Sequence, residues 1–142
     1  MGRRFLALVV VLVLVAPASR AEEPRRVAVI VHPTRQAELS PEMLTQIYLR
    51  RKRFWDDGTP IVPLNLEAGA ALREVFSRVV LHQSEPRLAE YWNRQYFYGV
   101  LPPATLASTK AVLRYVAADP NAVGYLPAGE VDDTVRVVLR LD

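Results

Sequence analysis

An α/β fold, with a mixed sheet of about four strands flanked by about four helices, is what this sequence predicts, on three observations. Residues 27–31 read VAVIV, an uninterrupted apolar run of strand length that suits a central strand covered on both faces. Residues 61–80, IVPLNLEAGAALREVFSRVV, join a short buried strand through a glycine-containing turn to an amphipathic helix. Strand-like runs and helical periodicities then alternate to the end of the chain, without internal repeat or low-complexity segment. One compact unit follows.

The first segment has a different character. Arg3 and Arg4 precede residues 5–15, which are all apolar, and Ser19, Arg20 and Ala21 offer small residues where a signal peptidase cuts. Eleven apolar residues are too few for a membrane span, which needs about 20. Residues 1–21 are therefore expected to be a signal peptide and residues 22–142 the exported domain. No cysteine follows the apolar run, so the expected product is a free, soluble periplasmic domain, neither a lipoprotein nor membrane-anchored after cleavage.

Beyond that segment, His32, Pro33 and Thr34 end the first strand. Ser40 is placed as the N-cap of a helix, Pro41 as its first residue and Glu42 in its first turn. Leu39 and Leu44 have the spacing of a hydrophobic staple, and Leu44, Ile47 and Tyr48 continue the buried face. The helix runs out in Arg50, Arg51, Lys52 and Arg53. Such a run can bind phosphate, but it also suits a solvated helix end, where the dipole favours cations. Asp56, Asp57 and Gly58 read as a turn ahead of a carboxylate pair. In the central helix, Leu72, Val75, Phe76, Val79 and Val80 form the inward face, with Arg73, Glu74, Ser77 and Arg78 opposite.

Ser84 can cap the next helix, in which Leu88, Trp92 and Gln95 or Tyr96 fall near one face. Tyr91, Trp92, Tyr96, Phe97 and Tyr98 make the densest aromatic cluster, read as core or a packing seam in preference to a platform for a sugar or base. Pro102 and Pro103 mark a connection. Ser108 and Thr109 open a last helix, with Val112, Leu113 and Val116 inward, and Asp119, Pro120 and Asn121 close it. Residues 122–126 read as a short strand. Residues 135–141 alternate as a wetter edge strand, with Val138 breaking the alternation.

Charge and composition exclude several functions. Cleavage after Ala21 would remove three of 18 basic residues and none of the 15 acidic ones, leaving a formally neutral domain with no case for nucleic acid. The lack of cysteine removes disulfides, thiolate catalysis and thiolate metal sites. Of the two histidines, His32 follows a strand, where α/β folds often place ligands, and His82 follows a helix; neither has a partner at metal-ligand spacing. No nucleophile elbow is present. The expectation is a protein that is not an enzyme, with no catalytic residue, metal or cofactor.

The order SPEMLTQIYLRRKRFWDDGTPIVPLN, a Gly-Ala-rich helix start reaching Phe76, then PNAVGYL and a closing strand, resembles the phosphate-type substrate-binding proteins of ABC transporters. The resemblance spans residues 27–141 and implies a type 2 periplasmic-binding-protein-like fold, of which this chain matches a single lobe. Short exported single-lobe members are the most similar group. The family places an arginine after the strand and Ser-Gly-Thr at the helix start. Here Leu66 stands at the arginine position and Ala70, Ala71 and Leu72 at the other three.

Side-chain ligands of that kind supply much of the strength of oxyanion binding. What this chain keeps is a backbone site, the N–H groups around Gly69, Ala70, Ala71 and Leu72 at a helix N-terminus, with Glu67 of the wrong sign beside it. Two readings follow. In the first, the domain binds phosphate or another small oxyanion for an ABC permease, for instance as a homodimer that rebuilds a cleft. In the second, it is a periplasmic interaction module that kept the fold, lost the ligand and serves another envelope protein.

Overall fold

The structure, a computed structural model, describes residues 26–142; the expected signal peptide, residues 1–21, lies outside them. The chain runs β1 (Val27–Val31), α1 (Pro41–Tyr48), β2 (Val62–Leu66), α2 (Ala71–Val80), α3 (Glu85–Tyr96), β3 (Ala104–Leu106), α4 (Thr109–Ala118), β4 (Ala122–Pro127), a 3-10 turn (Ala128–Glu130) and β5 (Arg136–Leu141). The five strands form one sheet in the order β3-β2-β4-β1-β5. Four were expected. The additional strand, β3, is three residues long, too short to show a period in sequence, and it follows the two prolines that announced only a connection.

The pairing is mixed. β2 runs parallel to β3 and β4, whereas β1 runs antiparallel to β4 and β5. All five residues of β1 are buried, as its apolar run predicts. Burial on both faces reflects its place between two strands under helices, and does not require parallel neighbours. Because Val31 pairs with Val123 and Val27 with Pro127, the end of β1 lies at the start of β4. His32 therefore sits at the sheet end opposite the C-terminal ends of the parallel strands, which removes it from the place where such folds hold ligands.

Gly124 and Tyr125 point to opposite faces of β4, and each organises one layer. A Cβ on Gly124 would lie 2.6 Å from Val112 Cγ1, so α4 approaches this strand at a distance only glycine permits. On the other face the Tyr125 ring stacks on Phe76, centroids 3.9 Å apart, and Tyr48 meets Phe76 edge-on at 4.7 Å. This joins α1, α2 and β4 in one apolar cluster with Leu44, Ile47 and Leu72. In β5, Leu139 pairs with Val29 and Val137 with Ile30, so Val138 is the extra residue of a β-bulge. That is why it broke the alternation.

Two expected faces shift. α2 buries Leu72, Phe76, Ser77 and Val80, while Val79 is exposed. Ser77 donates to Glu85 Oε1 at 2.9 Å and Arg73 pairs with Glu85 at 3.3 Å, so polar residues expected in solvent pack under α3. In α3, only Leu88 and Tyr91 are buried. Tyr96, Phe97 and Tyr98 stand in solvent, so the reading of the aromatic cluster as core or packing seam holds for buried Tyr91 and for Trp92, which packs half-buried against the core, and fails for the other three.

α1 stops at Tyr48, so the four cations lie beyond the helix and not in its last turn. Backbone N–H groups of Arg50, Arg51 and Lys52 take the Ile47 and Gln46 carbonyls. The side chains then disperse: Arg51 lies over the Tyr91 ring, Lys52 pairs with Asp56, and Arg53 donates to the Arg50 carbonyl. They do not converge on a shared phosphate site.

Candidate functional site

The three parallel strands β2, β3 and β4 all end on the same side of the sheet, and the chain leaves β2 for α2 and β3 for α4 there. These turns enclose a crevice of about 410 Å³, walled by Leu66, Glu67, Ala70, Ala71 and Leu72 on one side and by Ser108, Thr109, Pro127 and Glu130 on the other. Its position outside the carboxyl ends of parallel strands is where open α/β sheets present ligand sites.

Three of the four expected site residues, Ala70, Ala71 and Leu72, line this crevice. Gly69 supplies the turn that leads into it, with φ +88°. The Ala70 N–H bonds back to the Glu67 carbonyl at 3.1 Å. Ala70 is the N-cap of α2 and offers no side-chain oxygen, so the first N–H groups of the helix, on Ala71 and Leu72, have no capping partner. The start of α4 differs, because Ser108 Oγ accepts from the Ala111 N–H at 3.0 Å. Leu72 is buried, so it contributes backbone to the crevice rim while its side chain joins the core.

A buried polar network sets the end of β2. The Tyr125 hydroxyl donates to Asn65 Oδ1, which also accepts from the Leu66 N–H at 2.9 Å. Burial raises the Tyr125 hydroxyl well above its ordinary range, so it remains a donor at any physiological pH. From the other side, Arg73 Nη1 donates to the Leu66 carbonyl at 2.8 Å while its Nη2 faces Glu85. The nearest arginine to the loop is thus used to hold it.

The electrostatics of the crevice are mixed. Glu67 and Glu130 line it, Thr109 Oγ1 donates to Glu130 at 3.2 Å, and among the described lining residues none is cationic. An anion there would meet helix-dipole attraction and carboxylate repulsion together. Glu130, Ser108 and Thr109 were not expected as site residues. Ser108 and Thr109 were legible as the opening of a helix, but nothing in the sequence says that the start of α4 faces the start of α2.

Larger cavities lie elsewhere. One of about 560 Å³ separates the end of α2 from the start of α3, beside Glu74, Arg78 and His82. Another, of about 630 Å³, surrounds Arg35 at the opposite sheet end. Arg35 there is already saturated: it donates to the Pro120 carbonyl, Asp57, Thr59 and Asn121, and its guanidinium lies 4.8 Å from the Trp55 ring centroid. Neither cavity sits at the carboxyl ends of the parallel strands. No group of three or more His, Cys, Asp or Glu side chains able to hold a metal occurs among the described residues.

No protein-family model matches the sequence, and no curated protein matches it significantly. Solved structures do match. An ABC-type phosphate transport receptor from Vibrio cholerae aligns with a TM-score of 0.64 and 19% identity over 79% of this chain and 44% of that one. A protein described as a phosphate ABC transporter substrate-binding protein, with bound phosphate, from Clostridium perfringens aligns at TM-score 0.63 and 24% identity, over 79% and 43% of the two chains. PstS from Borrelia burgdorferi aligns at 0.62 and 14%, over 79% and 46%. The chain spans less than half the length of these structures. It has the fold of part of a phosphate-type substrate-binding protein, the single-lobe arrangement that its residue order resembles.

Proposed function

We propose that this chain, which shares its fold with phosphate-type substrate-binding proteins, is an exported solute-binding domain that takes phosphate or another small oxyanion at the start of α2. Cleavage after Ala21 would release residues 22–142 as a soluble periplasmic protein, and an ABC permease or another envelope protein would receive it. No catalytic residue is assigned. The observation that carries the reading is the uncapped first turn of α2 opening into the crevice past the parallel strands, with donors on Ala71 and Leu72. Among the described residues no helix is long and apolar enough to cross a membrane.

A second reading is favoured by a different observation. Glu67 and Glu130 line the same crevice and no cation offsets them among the described lining residues, which suits a module that kept the fold and lost the ligand. A calorimetric titration of residues 22–142 with phosphate, at low and physiological salt, separates the two. Saturable binding that weakens as salt rises supports the oxyanion site. Ala71→Pro then removes one donor without breaking the helix, since proline suits a first helical position and Ala70 already has an extended ψ of 127°. Loss of binding with unchanged circular dichroism is the expected result. Absence of heat and of thermal shift with wild-type protein up to millimolar phosphate sinks the oxyanion reading and leaves the interaction module.

A further inference from the structure

The end of α3 carries an aromatic surface that nothing in the chain covers among the described residues. Tyr96, Phe97, Tyr98 and Leu101 are 67%, 86%, 79% and 62% exposed. They do not sit on a loose loop. Val100 N–H bonds to the Gln95 carbonyl at 3.1 Å and Gly99 N–H to the Tyr96 carbonyl at 3.0 Å, with Gly99 at φ +74°, which is the hydrogen-bond pattern of a Schellman motif. Tyr96 and Phe97 meet edge to face, centroids 6.2 Å apart. The backbone that carries the rings is therefore fixed before any partner arrives, which lowers the entropy lost on docking.

We infer that this aromatic turn is a self-association surface on which a second copy of the chain docks about a two-fold axis. Area supports the occupant. With aromatic side chains of about 150–250 Å² each, the three exposed rings and Leu101 present roughly 550 Å² per copy. Complete cover of these side chains in both copies would bury at most roughly 1,100 Å², and because consecutive residues at a helix end fan apart, neighbouring residues on the Phe97 face supply part of the ~1,000 Å² that a specific interface needs. Charge supports it too. Glu90 and Arg94 are both exposed on α3, one turn apart, so a two-fold pairing can set each against its opposite. A domain of balanced formal charge has no net repulsion between copies. The turn precedes the start of β3 whereas the crevice lies past its end, so this pairing leaves both crevices open.

Sedimentation and light scattering of residues 22–142 from about 1 μM to about 1 mM, the range of weak to moderate affinities, test the inference. Mass should rise from one copy to two. Phe97→Ser with Tyr98→Ser should weaken association at least about tenfold without lowering the melting temperature of the monomer, since both rings are already in water. A second measurement uses the cysteine-free background: Leu101→Cys should form an interchain disulfide under mild oxidation, and Lys110→Cys should not. A wild-type chain that stays monomeric throughout overturns the inference. So does a dimer insensitive to the ridge variant, equal cross-linking of the two cysteines, or a monomer that instead floats with lipid vesicles.

Discussion

Arg35 is buried because each direction its guanidinium faces holds an acceptor or a ring. Nε reaches the Pro120 carbonyl at 2.9 Å, Nη1 reaches Asp57 at 2.8 Å, and Nη2 reaches Asn121 at 2.8 Å. One side chain so ties the segments after β1, before β2 and before β4. Asp57 is the exposed member of this set, and its carboxyl is lowered to about 2, first by the Thr59 hydroxyl and N–H and then by Arg35. The depressed value makes Asp57 contribute stability that is fully present above its unfolded value of 3.8 and is lost as pH falls through about 2. Melting temperatures of wild type and Asp57→Asn, compared across this range, should differ most above about pH 4 and converge towards about pH 2. A difference that does not change with pH would show that the carboxylate does not act through its charge.

At the scale of elements, what local chemistry determines was legible and what distant segments determine was not. Ser40 caps α1 as its position predicts, with Oγ accepting from Met43, and Ser108, read as the opening of a helix, caps α4 through Ala111; Ser84, also read as a cap, stands at the N-cap of α3 without a side-chain hydrogen bond. Those signals lie within one turn of the residue that carries them. The face of α2 was misjudged at Ser77 and Val79 because Glu85, from the next helix, makes burial of Arg73 and Ser77 favourable. The helix start at Ala70 to Leu72 was likewise readable, while Glu130 on the facing wall depends on how β4 and the 3-10 turn return to it. Gly124 belongs to the same class. It reads as a glycine in a strand, and its meaning comes from Val112 and Val116, whose methyl carbons lie 2.6 and 3.3 Å from where a Cβ would stand. Gly124→Ala should therefore force α4 away from β4 and lower stability by about 1–3 kcal/mol in denaturant titrations. An unchanged midpoint would mean that α4 can give way without loss.

For the whole molecule, stability is unevenly distributed. β1, β4 and the inward faces of α1 and α4 meet in the fully buried interior, where Ile30, Leu44, Val116 and Leu126 are among the residues with no exposure. α3 is attached more lightly, through buried Leu88 and Tyr91, the Tyr91 hydroxyl to the Leu49 carbonyl at 2.7 Å, and Glu85 to Ser77 and Arg73. Opening this helix exposes little apolar surface compared with separating the sheet from α4. Native-state hydrogen exchange should accordingly show α3 amides opening at a lower free energy than those of β1 and β4, whose protection reports global unfolding. If α3 also carries the self-association surface, its protection should rise with protein concentration while that of β1 changes far less, because docking stabilises the helix that makes the contact. Equal protection of α3 and β1 at every concentration would mean that the helix is an integral part of the cooperative core, and that its aromatic end is displayed by a rigid body and not by a lightly held arm.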